Sequence, residues 1–140
     1  LLHAPDNIGK KALEELVKEP VVKNALDVIG RTSIIIHSIG NAFEMAYRRK
    51  SSMEVLKVLE DKKAVSESFG SYFDKDENEI LKPSPIGMSF KDVVGINNVF
   101  TIVGGKKKAD AVYIYLCTNP ANATLIIDEA ICKKIIKKLV

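Results

Sequence analysis

The chain has 140 residues, 46% of them hydrophobic, with 21 Lys and Arg against 18 Asp and Glu. This length and composition suit one hydrophobic core, so we expect one domain or one part of a larger domain. The formal net charge of +3 is too mild for the one-signed field of a nucleic-acid groove, so this chain need not contact DNA itself.

The apolar runs and the cysteines indicate the setting of the protein. Ile34–Ile36 and Leu125–Ile127 are strand-length, far short of the roughly 20 residues of a membrane span, which predicts a soluble protein with no membrane partner. Cys117 and Cys132 are expected to be reduced core thiols, because a chain of this size does not depend on disulfides. We therefore expect a cytoplasmic protein.

The start of the chain is typical of a segment inside a fold. Leu1–Ala4 predicts a short buried strand with no initiator Met or basic leader, so we interpret the chain as a piece of a longer protein. Asp6 or Asn7 can cap a first helix that runs to about Lys18.

A second helix and a strand follow. Pro20 suits the first turn of a helix and Gly30 suits its end. Ser33–His37 is β-branched and apolar without alternation, which predicts a central strand covered on both faces. The next residues, Ser38–Asn41, are then a loop at the carboxyl end of that strand, where open α/β sheets bind their ligands.

The middle of the chain predicts a helix and a hairpin. Ser51–Glu54 has the spacing of a capping box, for a helix that ends near Lys62. Val65–Phe73 alternates in its side chains and predicts one strand with two distinct faces. Asp74–Asn78 has turn chemistry, so Glu79–Leu81 is expected to return as the second arm of a hairpin.

Strands and helices alternate in the rest of the chain. Ser89 is expected to cap a short helix, and two strand–helix units follow, at Val99–Val103 with Lys106–Cys117 and at Thr124–Ile127 with a helix from Glu129. The whole pattern predicts an α/β fold with a Rossmann-like layered sheet, mostly parallel, with helices on both faces and a β-hairpin.

A glycine pair followed by three lysines is the clearest candidate for a binding function. Gly104 and Gly105 let the backbone turn and present N–H groups, and Lys106–Lys108 add charge at the start of a helix, which favours a phosphorylated ligand. The stretch has neither the spacing of a P-loop nor that of a dinucleotide fingerprint. A tight turn with solvated lysines remains the alternative.

Two further groups are candidates for the same end of the sheet. Arg48 and Arg49 follow the Gly40 loop, and an arginine fork can grip a phosphate, with a plain basic turn as the alternative. Glu67 is a lone carboxylate on an apolar strand face, so it accepts from sugar hydroxyls or pairs structurally with an arginine.

His37 and Asp128 are secondary candidates. His37 ends a strand and can titrate near neutral pH, although a structural role is more common for a lone histidine. Asp128 lies between a strand and a helix, where capping is its expected role.

Several stretches together resemble the effector domain of SorC-type bacterial transcription regulators. They are His37–Ala42, Arg48–Lys50, Ala64–Phe73, and Gly104-Gly105 with Lys108-Ala109. The resemblance covers essentially the whole chain and implies a fold similar to glucosamine-phosphate isomerase and ribose-phosphate isomerase. It also implies that the chain is the C-terminal portion of a sugar-phosphate effector-binding domain, joined in the full protein to an N-terminal helix-turn-helix that binds operator DNA.

The resemblance also implies a ligand and its contacts. The ligand is a phosphorylated sugar, which in the glycolytic members of the family is the inducer fructose 1,6-bisphosphate. By motif, Arg48 grips a phosphate, Glu67 meets sugar hydroxyls and Lys108 neutralises a phosphate, with Arg49 able to exchange roles with Arg48. The implied effector-binding residues are Arg48, Glu67, Lys108, Gly104, Gly105 and Gly40. No catalytic residue, metal or cofactor is expected.

The chain departs from the family pattern in two places. Ser38 stands where the family has Gly in a Gly-Ile-Gly loop, which can alter how closely a ligand approaches. The glycine- and threonine-rich phosphate loop that the family carries earlier in the domain is absent from this chain. Part of the pocket is therefore expected to lie outside it.

The leading hypothesis is the ligand-sensing domain of a repressor of glycolytic or sugar genes, which is not an enzyme and forms a dimer or tetramer. The alternative is a sugar-phosphate isomerase or deaminase of the related fold, with Glu67 or His37 as proton shuttle. A domain that only mediates interactions is a third interpretation.

Overall fold

The computed structural model describes residues 4, 8–82, 86–118 and 123–139. The strand expected at Leu1–Ala4 and the expected caps Asp6 and Asn7 lie outside these residues, apart from Ala4. Two sheets, one parallel and one antiparallel, organise the described chain, with helices packed against them. The predicted α/β class is confirmed.

The described residues form eight helices and seven strands. The helices are α1 (Lys10–Leu16), α2 (Pro20–Gly30), α3 (Ala42–Arg48), α4 (Met53–Asp61), α5 (Phe90–Val93), a 3₁₀ helix (Lys106–Lys108), α6 (Ala109–Cys117) and α7 (Glu129–Leu139). The strands are β1 (Ile34–His37), β2 (Gly40–Asn41), β3 (Ser66–Ser68), β4 (Ser71–Phe73), β5 (Glu79–Leu81), β6 (Asn98–Val103) and β7 (Ala123–Ile127).

Most helix starts follow the sequence signals. Pro20 lies in the first turn of α2, and Ser89 forms a capping box with Asp92 at α5. The cap of α4 is Ser52, one residue later than the predicted capping box. These caps satisfy N–H groups that have no partner within the helix.

The parallel sheet has the strand order β1-β6-β7. Helices α6 and α7 cover one of its faces, where Val103 of β6 packs with Val112, Tyr115 and Ile131 in the largest core cluster of the described residues. This packing holds the turn between β6 and α6, which carries the glycine pair and the three lysines.

The other face of the parallel sheet is open in the described structure. Ile34 and Ile36 of β1 are 57% and 71% exposed, and Ile102 and Ile126, in register on β6 and β7, are 47% and 48% exposed. We call these four residues the isoleucine face. The prediction that Ser33–His37 is covered on both faces is therefore wrong for the described part of the chain.

The antiparallel sheet has the order β2-β3-β4-β5. A two-residue turn joins β3 and β4, in which Phe69 and Gly70 both have positive φ, 51° and 80°. The prediction of one strand over Val65–Phe73 is therefore wrong, because the segment is a tight hairpin. As a result Glu67 and Phe73 lie on opposite faces of the sheet. The second hairpin, between β4 and β5, is confirmed.

The segment after β1 also differs from the prediction of a loop at Ser38–Asn41. Its last two residues form β2, and α3 begins directly after them. The side chain of Asn41 caps α3 by accepting hydrogen bonds from the N–H groups of Phe43 at 3.0 Å and Glu44 at 3.3 Å. An Asn followed three residues later by Glu is a helix-start signal that the sequence contains.

Candidate functional site

Glu67 is a buried, paired carboxylate in β3. It is 4% exposed. Its Oε1 accepts a hydrogen bond from Arg49 Nη2 at 2.7 Å and another from the backbone N–H of Gly70 at 2.8 Å. The Gly70 donor is in reach because the tight turn after β3 folds back over the carboxylate. The charge of Glu67 is therefore compensated, as a charge in an apolar setting needs to be.

Gly40 lies beside Glu67 because the two residues are in register between β2 and β3. A Cβ atom at Gly40 would lie 2.1 Å from Met45 Cγ and 3.3 Å from Glu67 Oε2. Side chains of this domain thus close over the backbone of Gly40. The structure gives this glycine a packing role directly beside the Glu67 carboxylate.

The two arginines at the end of α3 occupy different positions. Arg49 is the C-terminal cap of α3 and forms the ion pair with Glu67, with its side chain 27% exposed. Arg48 is the last residue of the helix and is exposed. The inner carboxylate is therefore paired with Arg49, whereas the Arg48 guanidinium faces the surface. Sequence spacing alone leaves these two residues exchangeable.

Asp128 ties the glycine–lysine turn to α7. Gly105 has a φ of 101°, which a glycine adopts without strain. Its N–H donates to Asp128 Oδ2 at 2.6 Å, while Asp128 Oδ1 accepts from the N–H of Ile131 at 2.8 Å and so caps α7. The N–H groups of Gly105 and Ile131 lower the pKa of Asp128 below its ordinary value.

The hydrogen bond between Gly105 and Asp128 removes one backbone donor from those that the turn could present to a ligand. The N–H of Gly105, which the sequence predicts to face a phosphate, already donates to a carboxylate of the same chain. The expected capping role of Asp128 is confirmed, and its second contact was not expected. The charges that remain on the turn are those of Lys106, Lys107 and Lys108, of which Lys108 is the least exposed.

Strand β2 joins the two parts of the candidate site. The 3₁₀ helix that carries Lys108 lies against β2, and β2 pairs with β3 beside Glu67. Both β2 and the 3₁₀ helix follow the carboxyl ends of neighbouring parallel strands, the usual position of ligand sites in such sheets. Arg48 lies at the far end of α3, about 10 Å along the helix from Asn41 at 1.5 Å per residue.

His37 belongs to a separate buried polar cluster. Its Nε2 lies 2.7 Å from Thr101 Oγ1 and 3.2 Å from the hydroxyl of Tyr115, and its ring lies 4.3 Å from that of Phe69. Burial lowers the pKa of His37, because the charged imidazolium is disfavoured there, and burial also raises the pKa of Tyr115. The hydrogen bonds support a structural role for this histidine.

The cysteines and the acidic residues show no further site in the described chain. Cys117 and Cys132 are free thiols, as expected, but Cys117 is exposed and does not lie in the core. Across residues 8–82, 86–118 and 123–139, no group of three His, Cys, Asp or Glu side chains is placed to hold a metal ion. No helix of the described residues is long and apolar enough to span a bilayer.

The chain as a whole matches a known family. Residues 1–137 match the family model described as "Putative sugar-binding domain". The chain belongs to this family of sugar-binding domains, and the expected likeness to the effector domain of SorC-type transcription regulators is confirmed.

Two relatives carry the same name. The chain is 36% identical over 137 residues to the "Central glycolytic genes regulator" of Bacillus subtilis (strain 168), and 31% identical to that of Priestia megaterium (strain DSM 319 / IMG 1521). Each match covers 98% of this chain and 40% of the relative. The likeness to a central glycolytic genes regulator, which the motif set also predicts, is confirmed. The chain spans about two fifths of the length of these relatives.

Solved structures show the same architecture. A structure titled "putative SorC family transcriptional regulator" from Enterococcus faecalis superposes with a TM-score of 0.88 at 36% identity, over 96% of this chain and 55% of that one. The full-length sorbitol operon regulator SorC from Klebsiella pneumoniae superposes with a TM-score of 0.70 at 13% identity, over 100% of this chain and 44% of that one. The second likeness shows the fold alone.

Proposed function

We propose that this chain is the C-terminal part of the effector-binding domain of a bacterial transcription regulator and that the domain binds a phosphorylated sugar. The observation that carries the proposal is the match of residues 1–137 to a sugar-binding-domain family. The site geometry supports it, because Gly40 and the lysine-bearing 3₁₀ helix follow the carboxyl ends of parallel strands, and Glu67 lies in register with Gly40 on the next strand.

The proposed ligand is fructose 1,6-bisphosphate. Two relatives above 30% identity are named as regulators of central glycolytic genes. Arg48 and Lys108 lie on separate elements, α3 and the 3₁₀ helix, so they can contact different phosphates of one ligand. We assign one phosphate to each of these cations, since charge-assisted hydrogen bonds to phosphate are the strongest polar contacts such a ligand makes.

We assign the other predicted residues to shaping the site rather than to direct contact with a phosphate. Glu67 is nearly buried and already bonded to Arg49 and Gly70, so it contributes by fixing the arginine end of the site. Gly40 lets Glu67 and Met45 close up beside β2. Gly104 and Gly105 shape the turn, and the phosphate there meets lysine side chains in place of the Gly105 N–H.

We further propose that the parent protein supplies the rest of the domain and an operator-binding helix-turn-helix. The relatives are more than twice as long as the matched region. The isoleucine face is the surface that the rest of the domain would cover, because parallel sheets are buried on both faces. The glycine- and threonine-rich phosphate loop would come from the same additional part.

Calorimetric titration of the full-length protein with three ligands tests the proposal. We expect micromolar binding of fructose 1,6-bisphosphate and much weaker binding of fructose or inorganic phosphate, because both phosphates and the sugar contribute contacts. We also expect the bisphosphate to weaken binding to operator DNA, since the ligand must favour the state that does not bind DNA.

Two outcomes would contradict this proposal. Equal affinity for fructose and its bisphosphate would remove the phosphate contacts from the account. Steady conversion of hexose or pentose phosphates, measured by coupled assay, would favour the isomerase or deaminase alternative over a ligand sensor.

A further inference from the structure

The turn between β3 and β4 has a conformation that one of its residues disfavours. Phe69 and Gly70 are its two central residues, and their positive φ values of 51° and 80° are those of a type I′ turn. Glycine adopts such a φ without strain, whereas a bulky aromatic residue does so only at a cost. Phe69 therefore needs contacts from the surrounding structure to hold it in this conformation.

Phe69 belongs to the antiparallel sheet, but its ring packs on the parallel one. Its ring centroid lies 4.3 Å from that of His37, and the two ring planes are tilted by 37°. The ring also packs against a core cluster that includes Ile35 of β1 and Val99 of β6. His37, the last residue of β1, thus connects the parallel sheet to the turn of the other sheet.

The orientation of the His37 ring is fixed by two hydroxyl groups. Thr101 is its partner in the register of β1 and β6, and Thr101 Oγ1 lies 2.7 Å from His37 Nε2. The hydroxyl of Tyr115 lies 3.2 Å from each of these two atoms, so the three polar atoms form a closed triangle. Both hydroxyl-bearing residues are buried. Their hydrogen bonds therefore hold the imidazole in one orientation, with Phe69 packed on the ring.

The same turn supplies a donor to the candidate site. The backbone N–H of Gly70 donates to Glu67 Oε1 at 2.8 Å, and Arg49 Nη2 donates to the same oxygen at 2.7 Å. Because the peptide unit is planar, the direction of the Gly70 N–H is set by the backbone angles of Phe69 directly before it. His37 therefore acts on this ion pair through the turn.

We propose that His37 is a positioning residue for the arginine end of the effector site. Its ring holds Phe69 in the turn, and the turn holds the Gly70 N–H on the Glu67 carboxylate. A histidine meets both requirements of this position, a ring for Phe69 and a ring nitrogen for Thr101. Its effect on a ligand rests on the proposed function, in which Glu67 fixes the arginine end of the sugar-phosphate site.

Hydrogen exchange and calorimetric titration of the full-length protein test this role. We expect His37→Ala to speed the exchange of the Gly70 amide about tenfold or more, as resolved by fragmentation mass spectrometry, because the turn opens locally. We also expect fructose 1,6-bisphosphate to bind about tenfold more weakly. Combining His37→Ala with Phe69→Asn should restore slow exchange and affinity, because an Asn-Gly turn adopts positive φ without outside support.

The control variant is Ile135→Val, which removes one methylene from a core cluster that does not include Phe69. It lowers the global stability and should leave both the Gly70 exchange and the affinity unchanged. In an Arg49→Ala background, His37→Ala should cost little further affinity, since both substitutions act through the same ion pair.

Native exchange of the Gly70 amide in His37→Ala would overturn the proposal, as would exchange that stays fast after Phe69→Asn is added. An equal loss of affinity from His37→Ala in the Arg49→Ala background would also overturn it. Absence of bisphosphate binding by the native protein would refute the proposed function and the ligand part of this role, while the Gly70 exchange separately decides whether His37 holds the turn. If His37→Ala does not fold, His37→Gln, which removes the ring but keeps a hydrogen-bonding group for Thr101, carries the same predictions.

Discussion

Gly40 has no Cβ atom, and this lets the side chains of Met45 and Glu67 pack closely against its backbone. We predict that Gly40→Ala destabilises the chain by about 1–3 kcal/mol, because the new Cβ would overlap Met45 Cγ in a packed region. Urea unfolding measures the change. Gly30→Ala is the matched control, since nothing lies within 4 Å of a Cβ there, and should leave the stability equal or slightly higher.

A partial recovery in Gly40→Ala combined with Met45→Ala would show that the overlap causes the loss. Equal stability of Gly40→Ala and the native chain would contradict the packing role given to Gly40.

Arg48 and Arg49 are adjacent in sequence but have different environments in the structure. We predict that Arg49→Ala lowers the free energy of unfolding by about 1.5–3 kcal/mol, because it leaves the buried Glu67 carboxylate with the Gly70 N–H as its remaining described donor. Arg48→Ala, at an exposed position, should change it by about 0.5 kcal/mol or less.

The two variants should behave in the opposite order when ligand binding is measured. Arg48→Ala should lose affinity while it stays fully folded. If chemical denaturation shows the larger loss in Arg48→Ala, the assignment of the ion pair to Arg49 is wrong. Spacing could not have decided this, because adjacent residues at a helix end differ only in the direction of their side chains.

At the scale of elements, Asp128 couples two segments and makes their stability depend on pH. Its pKa is lowered in the folded chain, so its contribution is complete above the pKa of the unfolded state and is lost as pH falls through the folded value. We predict that Asp128→Ala lowers the melting temperature at pH 7. The difference between variant and native chain should shrink as the pH falls below the ordinary pKa of an aspartate, about 3.9.

Thermal unfolding at a series of pH values measures this difference. Asn41→Ala removes the cap of α3, whose acceptor is an amide oxygen that does not titrate, and serves as a control whose effect should change less with pH. A difference for Asp128→Ala that is the same at pH 7 and pH 2 would show that the carboxylate charge has no part in holding the turn.

The β3–β4 hairpin could not be predicted from the alternation of side chains along the sequence. Side chains alternate from Val65 to Phe73, and this period is that of a single strand. The structure instead turns at Phe69 and Gly70, and a bulky aromatic residue with positive φ carries no sequence signal for a turn. By contrast, the cap at Asn41 and the α3 helix that it begins could have been predicted from standard signals.

The strand–helix units near the end of the chain were predicted more closely. β6, the 3₁₀ helix with α6, and then β7 with α7 follow the predicted order and nearly the predicted bounds. Their glycine turn, apolar strands and amphipathic helix all favour the same structure. When local signals agree in this way, the structure can be predicted from the sequence. The hydrogen bond from the Gly105 N–H to Asp128 could not be predicted from local patterns, because it joins residues 23 positions apart.

At the scale of the whole molecule, the isoleucine face explains why one prediction was wrong. An apolar strand without alternation indicates burial on both faces, yet Ile34 and Ile36 are exposed in the described structure. A sequence reflects burial in the complete protein, whereas the structure shows the surface of this chain. The proposal that the parent protein covers this face reconciles the two observations.

The central claim is that cations from α3 and from the 3₁₀ helix hold the two phosphates of one sugar. Calorimetric titration of the full-length protein with fructose 1,6-bisphosphate, native and as Arg48→Ala combined with Lys108→Ala, tests it most directly. We predict a loss of affinity of about a hundredfold or more, since each lost charged contact contributes about 1.5–3 kcal/mol. The control variant combines Arg31→Ala with Lys23→Ala. It removes the same charges from exposed positions on and just after α2, and it should bind the bisphosphate with native affinity. Unchanged affinity in the variant with Arg48→Ala and Lys108→Ala would contradict the account.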